Sequence, residues 1–213
     1  MIEPSQSNLQ STYSEETSKQ LYVSRPAKIV SYDRETQTAI VEIMITSIDH
    51  DGKVIEMPPL ADVPVKQMSF GEFCVTVEPI KGDEGIVFFS DRCIDGWWES
   101  GEKSEPLEYR FHDLSDAFFD GGYHSKPNAV KTIPNCLNIS KKDGSAYIRL
   151  MSDGSINING TKLNVGCPVT FGSTVSAEGV ISSKSDVKAG AVSLLTHTHK
   201  GVQSGNSSTL PPT

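Results

Sequence analysis

The sequence predicts an all-β protein made of two dissimilar parts, a small antiparallel barrel followed by a repeat that needs partner chains. Three observations carry this. Short alternating runs separated by turn residues fill the first half, a six-residue repeat fills most of the last third, and the aromatic residues are confined largely to the first part. Both tryptophans, Trp97 and Trp98, precede residue 145, whereas Tyr147 and Phe171 are the only aromatics after it. A large core is therefore available only in the first part.

Residues 1–20 are rich in Ser, Thr, Gln and Glu and bury too little to offset ordering entropy, so they read as an arm. The barrel is expected over 21–110. Lys28 to Tyr32, a polar turn at Asp33 to Gln37, and Ala39 to Ile45 form a hairpin signature. Asp51 and Gly52 mark a turn before Lys53 to Met57, and Val63 to Lys66, Phe73 to Val77 and Gly85 to Ser90 supply further short strands. Pro58, Pro59 and Pro64 keep the middle section at an edge. Strands this short and this closely spaced suit an OB-like antiparallel barrel. The segment DRCIDGWWESG reads as a short helix with Asp91 as N-cap and Gly101 as stop, placing Trp97 and Trp98 over the barrel's open end. Residues 111–144 are expected to link barrel and repeat.

From Leu163 the chain divides into sixes: LNVGCP, VTFGST, VSAEGV, ISSKSD, VKAGAV. The first position is Leu163, Val169, Val175, Ile181 and Val187, always aliphatic, and the third is Val165, Phe171, Ala177, Ser183 and Ala189. Residues two apart share one face of a strand, so each hexad makes one inward step and then a turn. Ile148 with Leu150 and Ile156 with Ile158 follow the same rule at looser spacing. A single-chain left-handed β-helix uses three hexads per coil, and so short a stack has too few neighbours to be stable. Three chains wound about one axis bury the stripe in a closed prism, each Val, Leu or Ile contributing roughly 1.5–3 kcal/mol. The reading is an intertwined trimeric β-helix over 145–192, narrowing as the third position shrinks.

The apex is expected at 193–213. His197 and His199 share a face of an extended strand, with Cα atoms roughly 6.6 Å apart. In a trimer they bring six imidazole nitrogens to the axis. Imidazole suits iron, nickel, copper and zinc, but six ligands disfavour the tetrahedral structural zinc site, leaving iron a fitting occupant.

Several function classes are excluded or weighed against. A net charge of −8 without a basic run lacks the surface that nucleic acid requires. No apolar run approaches the roughly 20 residues of a membrane helix, and the polar start lacks a signal segment, so cytosolic folding is expected. Cys74, Cys93, Cys136 and Cys167 form no CxxC pair and read as reduced thiols. His112, Asp113, Ser115 and Asp116 lie together in FHDLSDAFFD, but sequence adjacency does not make a catalytic triad, and the cluster reads as a polar turn. No catalytic residue and no enzyme activity are expected. His50 and His124 sit in turn-like, solvent-facing surroundings, and the tryptophan pair reads as packing rather than sugar binding.

The order of small barrel, hexad shaft and terminal HTHKGVQSGNSSTLPP resembles the central spike proteins of contractile-tailed phages, including P2-like and Mu-like phages. GDEGIVFFSDRCIDGWWESG and FHDLSDAFF resemble that family's strand, short helix and link. The resemblance implies an OB-fold domain on the baseplate hub, a homotrimeric β-helix, and an apical iron held by His197 and His199 of three chains. It also implies a virion baseplate component, made in the host cytoplasm, that pierces the host outer membrane. The alternatives are a trimeric receptor-binding fibre or a hexapeptide-repeat, acyltransferase-like β-helix protein.

Overall fold

The computed structural model describes residues 21–49, 51–198 and 205. It divides into two compact units, one running to Asn159 and one beginning at Gly160. The described fold is all-β apart from one short α-helix and one 3-10 turn.

In the first unit, β1 (Ser24–Asp33) and β2 (Thr38–Ile43) form the expected hairpin, pairing Ala27 with Ile43 and Ile29 with Val41. The Asp33 carboxylate accepts the Glu35 amide at 2.8 Å, and Gln37 takes the left-handed conformation that closes the turn. Three more strands complete the wall: β5 (Leu60–Pro64) on β2, β8 (Glu84–Phe89) on β1, and β9 (Ala117–Gly121) on β8. The ends meet where Val65 bridges Phe119 in parallel and the Lys66 amide donates to the Phe119 carbonyl at 2.9 Å. The five strands thus close in the circular order β1-β2-β5-β9-β8.

Period-two burial fills the interior. Ile29, Val41, Val87 and Phe119 are essentially inaccessible, and Ala27, Ala39, Ile43, Leu60, Val63, Phe89 and Ala117 belong to the same buried cluster. Gly85 is required by close approach: a Cβ there would lie 2.5 Å from the Asp120 carbonyl oxygen and from the Phe119 ring.

Two small hairpins sit in the loops, β3 (Ser47–Ile48) with β4 (Val54–Ile55) and β6 (Met68–Phe70) with β7 (Phe73–Val75). A 3-10 turn spans Lys126–Asn128. Beyond it, β10 (Cys136–Ser140), β11 (Tyr147–Met151) and β12 (Ile156–Asn159) form a separate antiparallel sheet in the order β10-β11-β12. Its two turns are alike. In each Asp-Gly-Ser, the aspartate (Asp143, Asp153) accepts the serine amide at 2.9 and 2.8 Å.

Three expectations need correction. The barrel does not end by residue 110, because its closing strand β9 lies inside the segment expected as a link. The polar run before it masked the alternation of Ala117 and Phe119. The helix, α1 (Asp95–Ser100), starts four residues after Asp91; its N-cap is Ile94, without a side-chain bond, while Gly101 does stop it in the left-handed conformation. Trp97 does not plug the barrel. Its ring packs 6.0 Å from Phe118, which alternates with the buried Ala117 and Phe119 and so lies on the outer wall.

In the second unit, the described strands are β13 (Lys188–Ala189) and β14 (Val192–Ser193), a two-residue hairpin. Residues 160–187 contain no regular element. Every first-position aliphatic of the hexads is exposed, from 43 % at Val187 to 69 % at Ile181.

Candidate metal centre at the apex

The ring of His197 is oriented by the turn that follows β14. The Ser193 hydroxyl accepts the Leu195 and Thr196 amides at 3.1 and 3.0 Å, fixing the first bend. The Ser193 carbonyl then accepts the His197 amide at 3.1 Å, and His197 Nδ1 lies 2.8 Å from the same oxygen. A carbonyl oxygen only accepts, so this bond puts the proton on Nδ1. The neutral ring then carries its lone pair on Nε2, the arrangement in which a histidine ligates metal while its other nitrogen is held by a carbonyl. His199 lies outside the described residues, so the structure places one of the two expected ligands.

A second cluster contains metal-type ligands. Cys93, Asp95 and Asp116 bring Sγ and carboxylate oxygens within 4.8 Å of one another. Arg110 already occupies that position. Its Nε donates to Asp116 Oδ2 at 2.7 Å, and its Nη2 to Asp116 Oδ1 at 3.0 Å and Asp95 Oδ1 at 2.9 Å. The Ile94 amide takes Asp116 Oδ1 at 2.9 Å. Surrounded by these carboxylates, the guanidinium is held above its ordinary pKa, first of all by its bonds to Asp116. Both oxygens of the fully buried Asp116 are thus committed, and a metal would have to displace a fixed cation. The cluster is a structural tie that fastens α1 and the chain before β9 to the barrel.

The same geometry disposes of the hydrolase-like grouping. Ser115 donates its amide and hydroxyl to Asp113 Oδ1 at 2.9 and 2.7 Å, bonds that lower the Asp113 pKa. His112 Nδ1 is buried without a hydrogen-bond partner, so neither aspartate orients it. His124 is exposed beside Ser125, and His50 lies outside the described residues. Arg110 was missed by sequence reasoning; its position between Glu108 and Asp113 gives no sign that it spans three carboxylates.

Residues 25–122 match the phage protein Gp138 N-terminal domain, and residues 191–213 match the GpV apex motif. The chain carries two features of phage central spikes. The first match covers all but one residue of the closed barrel, including β9, and the second includes both His197 and His199. No curated protein matches the chain. These matches support a structural, non-enzymatic component of a phage tail, similar to a spike, and the motif matched at 191–213 is one of metal-binding tips.

Proposed function

We infer that the chain is the central spike of a contractile tail baseplate, a homotrimeric needle that pierces the host outer membrane during injection. The observation that carries this reading is the hexad stripe. Aliphatic side chains recur at every sixth residue, yet the isolated chain buries none of them. A sequence that maintains such a period supplies a core to other chains. The single-chain acyltransferase-like coil finds no support, since its hexads would cover one another within the chain. A receptor-binding fibre is disfavoured by the apex match.

In this reading the strand order 1-2-3-5-4, counting only barrel strands and with the third and fifth parallel, is that of an OB-fold, which attaches to a tail hub protein. An arm at 1–20 precedes it, the segment after it leads to a trimeric β-helix over 145–192, and 193–213 form the apex. The protein is made in the host cytoplasm and assembled into the virion.

Mechanically, a closed prism has no free sheet edge along its sides and resists splaying under axial load. His197 and His199 of three chains would hold one iron through six nitrogens, and the ion supplies a cross-link between the chain ends. The tautomer of His197 set by Ser193 fits that role. The chain's own residues do the rest, with Ser193 pinning the turn and Asp186 accepting the Leu195 amide at 3.3 Å to tie it to the preceding segment.

The test is solution mass together with metal analysis on protein purified without chelators. A trimer with one metal ion per three chains is expected, and replacing both His197 and His199 with Ala should remove the metal while leaving the trimer. Protonation should release the ion at acid pH, because only neutral imidazole ligates. A folded monomer would overturn the spike reading. A trimer without stoichiometric metal would overturn the apical site alone.

A further inference from the structure

The barrel has two unlike ends. One holds the start of β1 and the finish of β8, paired through Ser24 and Phe88, together with α1 and the β3–β4 hairpin. The Met44 amide donates to the Pro26 carbonyl at 2.8 Å, and Arg25 Nη1 donates to the Ile45 carbonyl at 3.2 Å and to Ser47 Oγ at 3.0 Å, so the hairpin is fixed beside β1. The other end holds the β1–β2 turn, and the chain leaving β9 is tied back toward it where Glu84 accepts the Ser125 amide and Lys142 pairs with Asp83. The β3–β4 hairpin thus occupies the end that the outgoing chain does not use.

This hairpin is stiff, apolar on its outer side and set in acidic surroundings. Asp49 Oδ1 accepts the amides of Asp51 and Lys53 at 2.9 and 2.8 Å, and Gly52 supplies the left-handed residue of the turn. The Ser47 hydroxyl, between Arg25 and the Met57 sulfur, faces the barrel, so the cross-strand pair on the opposite side, Ile48 and Val54, faces away from it. The two are 69 % and 53 % exposed, and Met44 and Ile45 beside them are exposed as well. Aliphatic groups held rigidly in water mark a contact surface. The hairpin segment 44–57 and the connection 90–116, which leaves from this end and returns to it, hold eleven acidic residues and, with Arg25, five basic ones, so −6 of the chain's −8 is gathered here.

We propose that the β3–β4 end of the barrel is the docking surface for the tail hub protein, with Ile48 and Val54 as apolar anchors and the surrounding carboxylates as a rim. The hub surface that fits it is an apolar groove bordered by lysine or arginine. The proposal rests on the hub attachment given under the proposed function and adds which part of the barrel makes it. Charge and position select this occupant. A second copy docked end to end would set the same acidic surface against itself. Copies joined through the hexads come together on the side where the chain leaves the barrel, which keeps this end clear. The β6–β7 hairpin is equally apolar, with Phe70 and Phe73 each 81 % exposed, but it follows β5, which ends at Pro64 opposite Thr38, on the side of the β1–β2 turn.

The test is binding of the full-length spike to the recombinant hub protein of the same tail by biolayer interferometry, with solution mass and barrel melting measured on every variant. Ile48→Asp with Val54→Asp should weaken the complex at least about 30-fold, because two carboxylates replace the apolar anchors. Glu99→Lys with Glu102→Lys keeps the anchors and should lower both the association rate and its dependence on salt. Phe70→Asp, at the other end, should leave the affinity unchanged. A loss with Phe70→Asp as large as with the hairpin pair, or no loss from the hairpin pair in a folded trimer, overturns the docking surface while hub attachment stands. Should the hairpin pair fail to fold, an association rate unchanged by the lysine pair overturns it instead. If the unaltered trimer does not bind the hub, hub attachment itself falls and the surface with it.

Discussion

The barrel and the hexad segment use the same aliphatic residues to opposite ends. In the barrel, Ile29, Val41 and Val87 alternate inward and are almost wholly removed from water by strands of the same chain. In the hexads, Leu163, Val169 and Ile181 are as regular in sequence and remain exposed. What separates the two is what returns to cover each strand. The barrel has hairpins that fold β2 onto β1 and a long connection that brings β9 to β8. Each hexad is too short to double back, so it exports its apolar face. One chain thus contains a domain that covers its own apolar residues and a segment that leaves them exposed, which on the trimeric reading proposed above are covered by other copies.

A paired substitution should separate the two most sharply. Phe119 is the largest fully buried side chain and touches both the closing bridge and Gly85. Phe119→Ala should cost the barrel about 3–5 kcal/mol, a large fraction of a typical domain's stability. Calorimetry should show the barrel transition falling steeply while the trimer mass persists. Ile181→Asp should do the reverse, leaving the barrel transition in place and making residues 160–198 sensitive to protease, since three carboxylates would meet in an apolar prism. Equal effects of both substitutions on both transitions would erase the distinction.

How far the sequence foretells the fold follows the same division. The β1–β2 hairpin was legible because Asp33 to Gln37 interrupts a clean alternation, and β8 because Gly85 to Ser90 is bounded by turn residues. β9 was not, because its burial depends on a bridge to Val65 more than fifty residues earlier. The α1 start was misplaced for a similar reason. Asp91 has the right chemistry for a cap, but the Ile94 amide is bonded instead by Asp116, a tertiary partner. At the apex, the spacing of His197 and His199 was visible at once, whereas the role of Ser193 in fixing the ring was not: a backbone carbonyl leaves no mark in sequence.

A smaller loss is expected from Arg110, because it ties elements to the barrel wall without forming its core. Arg110→Ala removes the cation from the buried Asp116 while the Ile94 amide remains. Leaving a buried carboxylate without its partner costs roughly 3 kcal/mol. Arg110→Ala with Asp116→Asn should recover part of it, since the uncompensated charge is then gone. The double variant's melting temperature should lie above that of the single; a double variant no better than the single would mean that Arg110 acts through Asp95 and Glu108 instead.

The mildest perturbation is acid, and it addresses the point where the chain leaves the barrel. Glu84, buried at the start of β8, accepts the Ser125 amide at 2.7 Å, Asn128 Nδ2 at 2.8 Å and the Ser125 hydroxyl at 3.0 Å, with Lys28 Nζ at 3.4 Å. These groups all favour the carboxylate, the Ser125 amide most, and bring its pKa from 4.5 down to about 2. A folded-state pKa below the unfolded one means that the unfolded chain takes up its proton first as pH falls. The latch therefore contributes fully above about 4.5 and is lost as pH falls toward 2. Carbon NMR of the Glu84 carboxyl should titrate with a midpoint near 2, and Glu84→Gln should loosen residues 122–128 at neutral pH while the barrel core stays protected from exchange. A midpoint at an ordinary glutamate value would show that this carboxylate is not the latch, and the chain leaving the barrel would then be held by the Lys142–Asp83 ion pair at 2.8 Å.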